Sequence, residues 1–128
     1  MLTAGIVLAL IAALVHVYIF YMESIAWTSQ KTRATFGMSE QEAIDTKEMA
    51  YNQGFYNLFL ALAVVVGGVI AFTGSAAVGA ALVLAGAGSM AAAATVLYLS
   101  SPSKRGAALK QGVIPALGVI AVVIGLVA

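Results

Sequence analysis

The chain has no cysteine among its 128 residues, which excludes disulfides, thiolate metal sites and thiol catalysis. Charge is nearly as scarce. Six Lys and Arg and five Asp and Glu are present, all within two windows, Glu23 to Glu48 and Lys104 to Lys110. Nothing before Glu23, between Glu48 and Lys104, or after Lys110 carries a formal charge. There is no Gly-rich phosphate loop, no nucleophile triad and no paired-carboxylate arrangement. An enzyme is therefore not the expectation, and no catalytic residue or cofactor is assigned. One His and one Glu do not make a metal site. A net charge of +1 offers no basic surface for nucleic acid. No internal repeat is evident, so an inverted-repeat transporter has no support. The amino-terminal segment lacks a basic n-region and its apolar run is too long for a signal peptide.

What remains is apolar. Hydrophobic residues make up 62% of the chain, and the mean hydropathy is +1.04. A helix needs about 20 apolar residues to cross the hydrocarbon core, and a charge buried there is costly. Four windows qualify, near 3–27, 49–72, 75–99 and 107–127. Thr73-Gly74-Ser75 predicts a tight turn between the second and third, and the 100–106 segment carries turn residues and a proline. The only sizeable loop covers 28–48. Within it Ser39-x-x-Glu42 matches a capping box, predicting a short helix from Glu40 that runs toward the second span.

Orientation follows from the basic residues. Lys31, Arg33 and Lys47 lie on or beside the first loop, and Lys104, Arg105 and Lys110 on or beside the last; the turn at Gly74 has none. Positive charge stays on the cytoplasmic side. The expected protein is an all-α, integral membrane four-helix bundle with short loops and both termini extracytoplasmic.

Periodicity picks out inward faces. The first helix carries Gly5, Ala9, Ala12, His16, Phe20, Glu23 and Trp27 on one stripe. The second carries Ala50, Gln53, Gly54, Asn57, Ala61, Val64, Gly68 and Ala71. The third has Gly74, Ala77, Ala81, Ala85, Gly88, Ala92 and Thr95, and the fourth Ala107, Gln111, Pro115, Gly118, Val122 and Gly125. Small residues let helix backbones approach closely, which drives association where the hydrophobic effect between helices is missing.

These stripes bring Glu23, Gln53, Asn57 and Gln111 to the cytoplasmic half of the bundle, with His16 deeper on the stripe of Glu23. Polar groups inside a membrane protein are a functional-site hypothesis by default. Each also has a structural reading. Glu23 is either a proton- or cation-binding carboxylate, or a carboxyl that ties helices together through Gln53, Asn57 or Gln111. His16 lies about 10 Å from Glu23 along the axis. It either relays to Glu23 through a bridging group or is satisfied by a neighbouring carbonyl. Tyr18, Tyr21, Tyr51, Tyr56 and Trp27 read as an aromatic belt at the boundary. Lys104, Arg105 and Lys110 read as topological signals that also touch anionic lipid.

His16-Val-Tyr18-Ile-Phe20-Tyr21-Met-Glu23, followed by Trp27, resembles the first-helix signature of a bacterial membrane family called domain of unknown function 1304. Asn52-Gln53-Gly54-Phe-Tyr56-Asn57-Leu-Phe59-Leu60-Ala61 resembles its second block, and Gln111 with Pro115-Ala116 its last. The resemblance implies a four-span membrane protein in a bacterial plasma membrane, with His16, Glu23, Gln53, Asn57 and Gln111 in one motif set and no assigned activity. A weaker likeness is to the MAPEG enzymes, whose glutathione sites use Arg, Asn and Glu; Asn57 has a counterpart there, but the second helix here carries no Arg. Small multidrug transporters also place a Glu in the first of four helices, nearer mid-membrane than Glu23.

Three functions stay open at this point. A polar pocket lined by Glu23, Gln53, Asn57 and Gln111, with His16 at its floor, binds a lipid-like or amphipathic molecule. Alternatively, the chain is an accessory subunit of a larger membrane complex, or a proton- or cation-coupled carrier using Glu23. Membrane lipids are the expected partners, with a homo-oligomer or a larger complex as further assemblies.

Overall fold

A computed structural model describes residues 1–128. The elements in order are α1 (Leu2–Phe20), a π-helical turn (Tyr21–Ile25), α2 (Gln30–Phe36), α3 (Glu40–Asp45), α4 (Lys47–Thr73), α5 (Ala76–Ser100), a 3₁₀ turn (Pro102–Lys104) and α6 (Arg105–Val127). There are no strands. Four helices, Leu2–Ile25 with its π turn, α4, α5 and α6 with its preceding turn, are long and apolar enough to cross a membrane. The protein is a membrane protein with transmembrane helices, as its sparse charge requires.

Helices adjacent in the chain are adjacent in the bundle. α1 packs on α4, α4 on α5, α5 on α6, and α6 closes the ring on α1. Both termini and the Gly74 turn therefore lie at one end, and α2, α3 and the 3₁₀ turn at the other, the loop end. Within the loop, the Ser39 Oγ accepts from Glu42 N–H at 3.1 Å and Glu42 Oε2 accepts from Ser39 N–H at 3.2 Å. This is the expected capping box. Helix α2, whose start is capped by Ser29 accepting from Thr32 N–H, was not expected from the sequence pattern. The helix expected from Glu40 toward the second span ends at Asp45, because Thr46 leaves helical geometry between α3 and α4.

The buried faces of α1, α4 and α6 follow their stripes but are wider. Ile6, Ala13 and Ile19 widen the face of α1, Gly67 that of α4, and Ala108 and Ala121 that of α6, whereas Gln53 is exposed on α4. The face expected for α5 is wrong. Ala77, Ala81, Ala85, Ala92 and Thr95 are exposed, while Gly79, Ala80, Val83, Gly86, Ala87, Met90 and Ala94 are buried. Alanine and glycine surround α5 on every side, so small-residue spacing alone does not choose a face. The crossing with α4 chooses it. A Cβ on Gly67 would lie 2.8 Å from Gly79 O, and one on Gly86 would lie 2.9 Å from Leu60 O. Only glycine lets the two backbones meet there.

Two apolar clusters result. The larger contains Ile6, Ala13, Val64, Val83, Met90 and Val122 among others, and fills the bundle toward the termini. The smaller joins Ile19, Met22, Phe36, Met38, Ala43 and Ala107 at the loop end. His16, Glu23 and Asn57 are the buried polar side chains of the membrane-spanning segments.

Candidate functional site

The five side chains expected to converge do so. His16, Glu23, Gln53, Asn57 and Gln111 line one cavity of about 240 Å³ at the loop end of the bundle. Glu23 sits on the π-helical turn that ends the first span. Such turns insert a residue into the helical ladder and recur at functional sites. Nothing in the residue spacing announces this turn.

Helix α4 meets that turn at Gly54. A Cβ there would lie 3.0 Å from Ser24 N and 3.1 Å from Glu23 Cβ, and would overlap Ser24 Oγ. The missing side chain thus lets α4 press on the backbone that carries Glu23. Ser24 Oγ donates to the Tyr51 carbonyl at 2.8 Å, closing the contact from the other side. With the helices so placed, Asn57 Nδ2 donates to Glu23 Oε2 at 2.7 Å. It also donates to the Gln53 carbonyl at 3.2 Å, which spends the donor capacity that aims the amide. The expected interhelical tie is therefore present, with Asn57 as the partner and neither Gln53 nor Gln111.

His16 is buried, and its Nδ1 lies 2.9 Å from the Ala12 carbonyl. A carbonyl only accepts, so Nδ1 carries the hydrogen, and Nε2 of the neutral ring is an acceptor. His16 and Glu23 share a cavity wall without bonding to each other. Gln111 is half-buried on α6. Four residues on, the buried Pro115 has no N–H to return to the Gln111 carbonyl.

The remaining wall comes from residues the sequence reading assigned elsewhere. Lys104, read as a topological signal, is half-buried in the 3₁₀ turn and lines the cavity. Trp27, read as part of the aromatic belt, lines it too; its Nε1 donates to Thr46 Oγ1 at 3.1 Å, and its ring packs on Phe36. Trp27 thereby holds α2 and the start of α4 over the site. Tyr18, Tyr21, Tyr51 and Tyr56 remain exposed, as a belt needs. Met90, Ala93 and Leu97 of α5 supply the apolar side. Gln53 and Ala93 are the exposed members of the wall, one on α4 and one on α5, so the mouth opens sideways between these helices.

The site thus offers a carboxyl, a histidine, three amides and one lysine in an apolar surround. No curated protein and no solved structure matches the chain. One family does: residues 10–123 match the family described as Protein of unknown function (DUF1304), and the chain belongs to it.

Proposed function

We propose that this protein binds an amphipathic, lipid-like molecule in the loop-end cavity, with that end in the cytoplasm, both termini outside, and the bundle in a bacterial plasma membrane. The observation that carries this reading is the sideways mouth. A polar interior, anchored by the buried Glu23–Asn57 pair, opens between α4 and α5, where Gln53 and Ala93 are exposed. A polar head is received inside while its apolar chains stay along the Leu-, Val- and Ile-rich outer surface. Pockets of this kind, apolar with a few convergent polar groups, are the usual form of small-molecule sites. The orientation rests on the six basic residues at the loop end.

The test is mass spectrometry of lipids retained by gently solubilised protein. Glu23→Gln and Asn57→Ala are expected to lose a species that the unaltered chain keeps. Retention of the same lipids at the same stoichiometry by both variants would end this reading. A carrier using Glu23 has less behind it, because the polar lining stops at His16 and the larger apolar cluster fills the bundle beyond.

The outward face of α5 favours a second reading, that of a subunit packed on another membrane protein or a second copy. Ala77, Ala81, Ala85 and Ala92 are exposed, and small residues mark helix contacts in membranes. Ala81→Leu and Ala85→Leu should abolish any larger species seen on native gels; migration as a monomer before substitution removes the idea.

A further inference from the structure

We infer that the cavity takes a head carrying a primary ammonium beside an anionic group, the chemistry of phosphoethanolamine. This rests on the amphipath-binding reading of the same cavity and names the head it selects.

Counting donors and acceptors leads there. At the floor, Asn57 has committed Nδ2 to Glu23 Oε2 and to the Gln53 carbonyl, leaving Oδ1 as an acceptor. His16 has committed Nδ1–H to the Ala12 carbonyl, leaving Nε2 as an acceptor. Glu23 receives its protein donor at Oε2, leaving Oε1 as an acceptor. An ionised carboxyl has no hydrogen to give. With Glu23 ionised, the innermost wall is built from acceptors, one of them charged. Its complement is a compact group with several N–H donors, and an ammonium also keeps Glu23 ionised. Lys104 is the one cation of the wall and offers donors alone. Its complement is an anion on the same head.

A quaternary ammonium fits less well. It has no N–H for the three acceptors, and it is normally held by aromatic faces arranged as a cage. Trp27 and Phe36 do line the cavity, but they pack on each other, with centroids 5.2 Å apart and planes at 55°.

Trp27 is the single tryptophan of the chain and lines the cavity, so its emission reports binding. The protein in maltoside micelles is titrated with dihexanoyl phosphatidylethanolamine, dihexanoyl phosphatidylcholine and free O-phosphoethanolamine. The ethanolamine lipid is expected to bind about tenfold or more tightly than the choline lipid, the size of one charge-assisted hydrogen bond. Glu23→Gln should bring that ratio to about twofold or less, by loss of the charge the amine faces. Lys104→Gln should weaken both lipids and preserve the ratio, since both carry the phosphate. Free O-phosphoethanolamine binding as tightly as the lipid upholds the head chemistry and assigns a soluble source. Equal saturable binding of the two lipids overturns this inference alone, as does a preference that survives Glu23→Gln. No binding by any of the three probes overturns the amphipath reading with it. Circular dichroism checks that each variant is folded; if Glu23→Gln is not, the ratio in the unaltered chain and its persistence in Lys104→Gln decide.

Discussion

Gly54→Ala tests the contact on which the site geometry depends. The added methyl would lie 3.0 Å from Ser24 N and 3.1 Å from Glu23 Cβ, and would overlap Ser24 Oγ outright. Ser24 must then turn away and give up its bond to the Tyr51 carbonyl, or α4 must retreat from the π turn. Overpacking of this kind costs about 1–3 kcal/mol, and the lost hydrogen bond adds about 1 kcal/mol. Against this, alanine is the better helix former by about 1 kcal/mol. The expected net loss is about 1–3 kcal/mol, the difference of these terms. Thermal unfolding or mild SDS denaturation of the purified protein reads it. Ser24→Ala removes the oxygen that collides, so the double variant should recover part of the loss, a coupling a double-mutant cycle measures. If Gly54→Ala is as stable as the unaltered chain or more so, propensity has won. The close approach of α4 to the Glu23 turn is then not as described.

Asn57→Ala should destabilise the bundle by about 1 kcal/mol, the usual scale of an interhelical hydrogen bond in a membrane. Combined with Glu23→Ala, its effect should fall short of the sum, and full additivity would mean the 2.7 Å bond is not formed. Trp27→Phe keeps an aromatic ring against Phe36 but removes the donor to Thr46. Limited proteolysis should then cut the 28–46 segment faster, with little change in the unfolding of the spans; an unchanged cleavage rate counts against Trp27 as the fastening. A chain without cysteine suits accessibility labelling. Single cysteines at Lys31 and Ser103 should react from the same side, the cytoplasm, and reaction from opposite sides would refute the orientation.

Much of this architecture is legible in the amino-acid sequence. Charge confined to two windows marked the spans, and the four helices begin and end within a few residues of them. The stripe shared with Ala50, Ala61, Val64 and Gly68 placed Gly54 and Asn57 on the inward face, because helical spacing is regular there. The π turn was not legible, since a one-residue insertion in the ladder leaves no mark in the residue spacing. Lys104 was missed for another reason. The same residue type serves topology and lines a cavity, and only the folding of the 3₁₀ turn back over the bundle distinguishes the two. The face of α5 failed because a helix of small residues has no single small stripe; glycines of α4 and α5 at close crossing settle it. Gln53 shows the limit of stripes at helix ends, where a residue on the inward side still faces an opening.

The two apolar clusters meet no single continuous core between them, and this bears on how the molecule yields. Loosening of α2, Phe36 and Met38 disturbs the smaller cluster while Ile6, Val64, Val83 and Val122 stay locked in the larger. Hydrogen exchange would then divide the bundle crosswise, slow toward its termini and faster above His16. The frame that fixes the helices and the chamber that admits a guest are thus separate mechanical parts of one small chain.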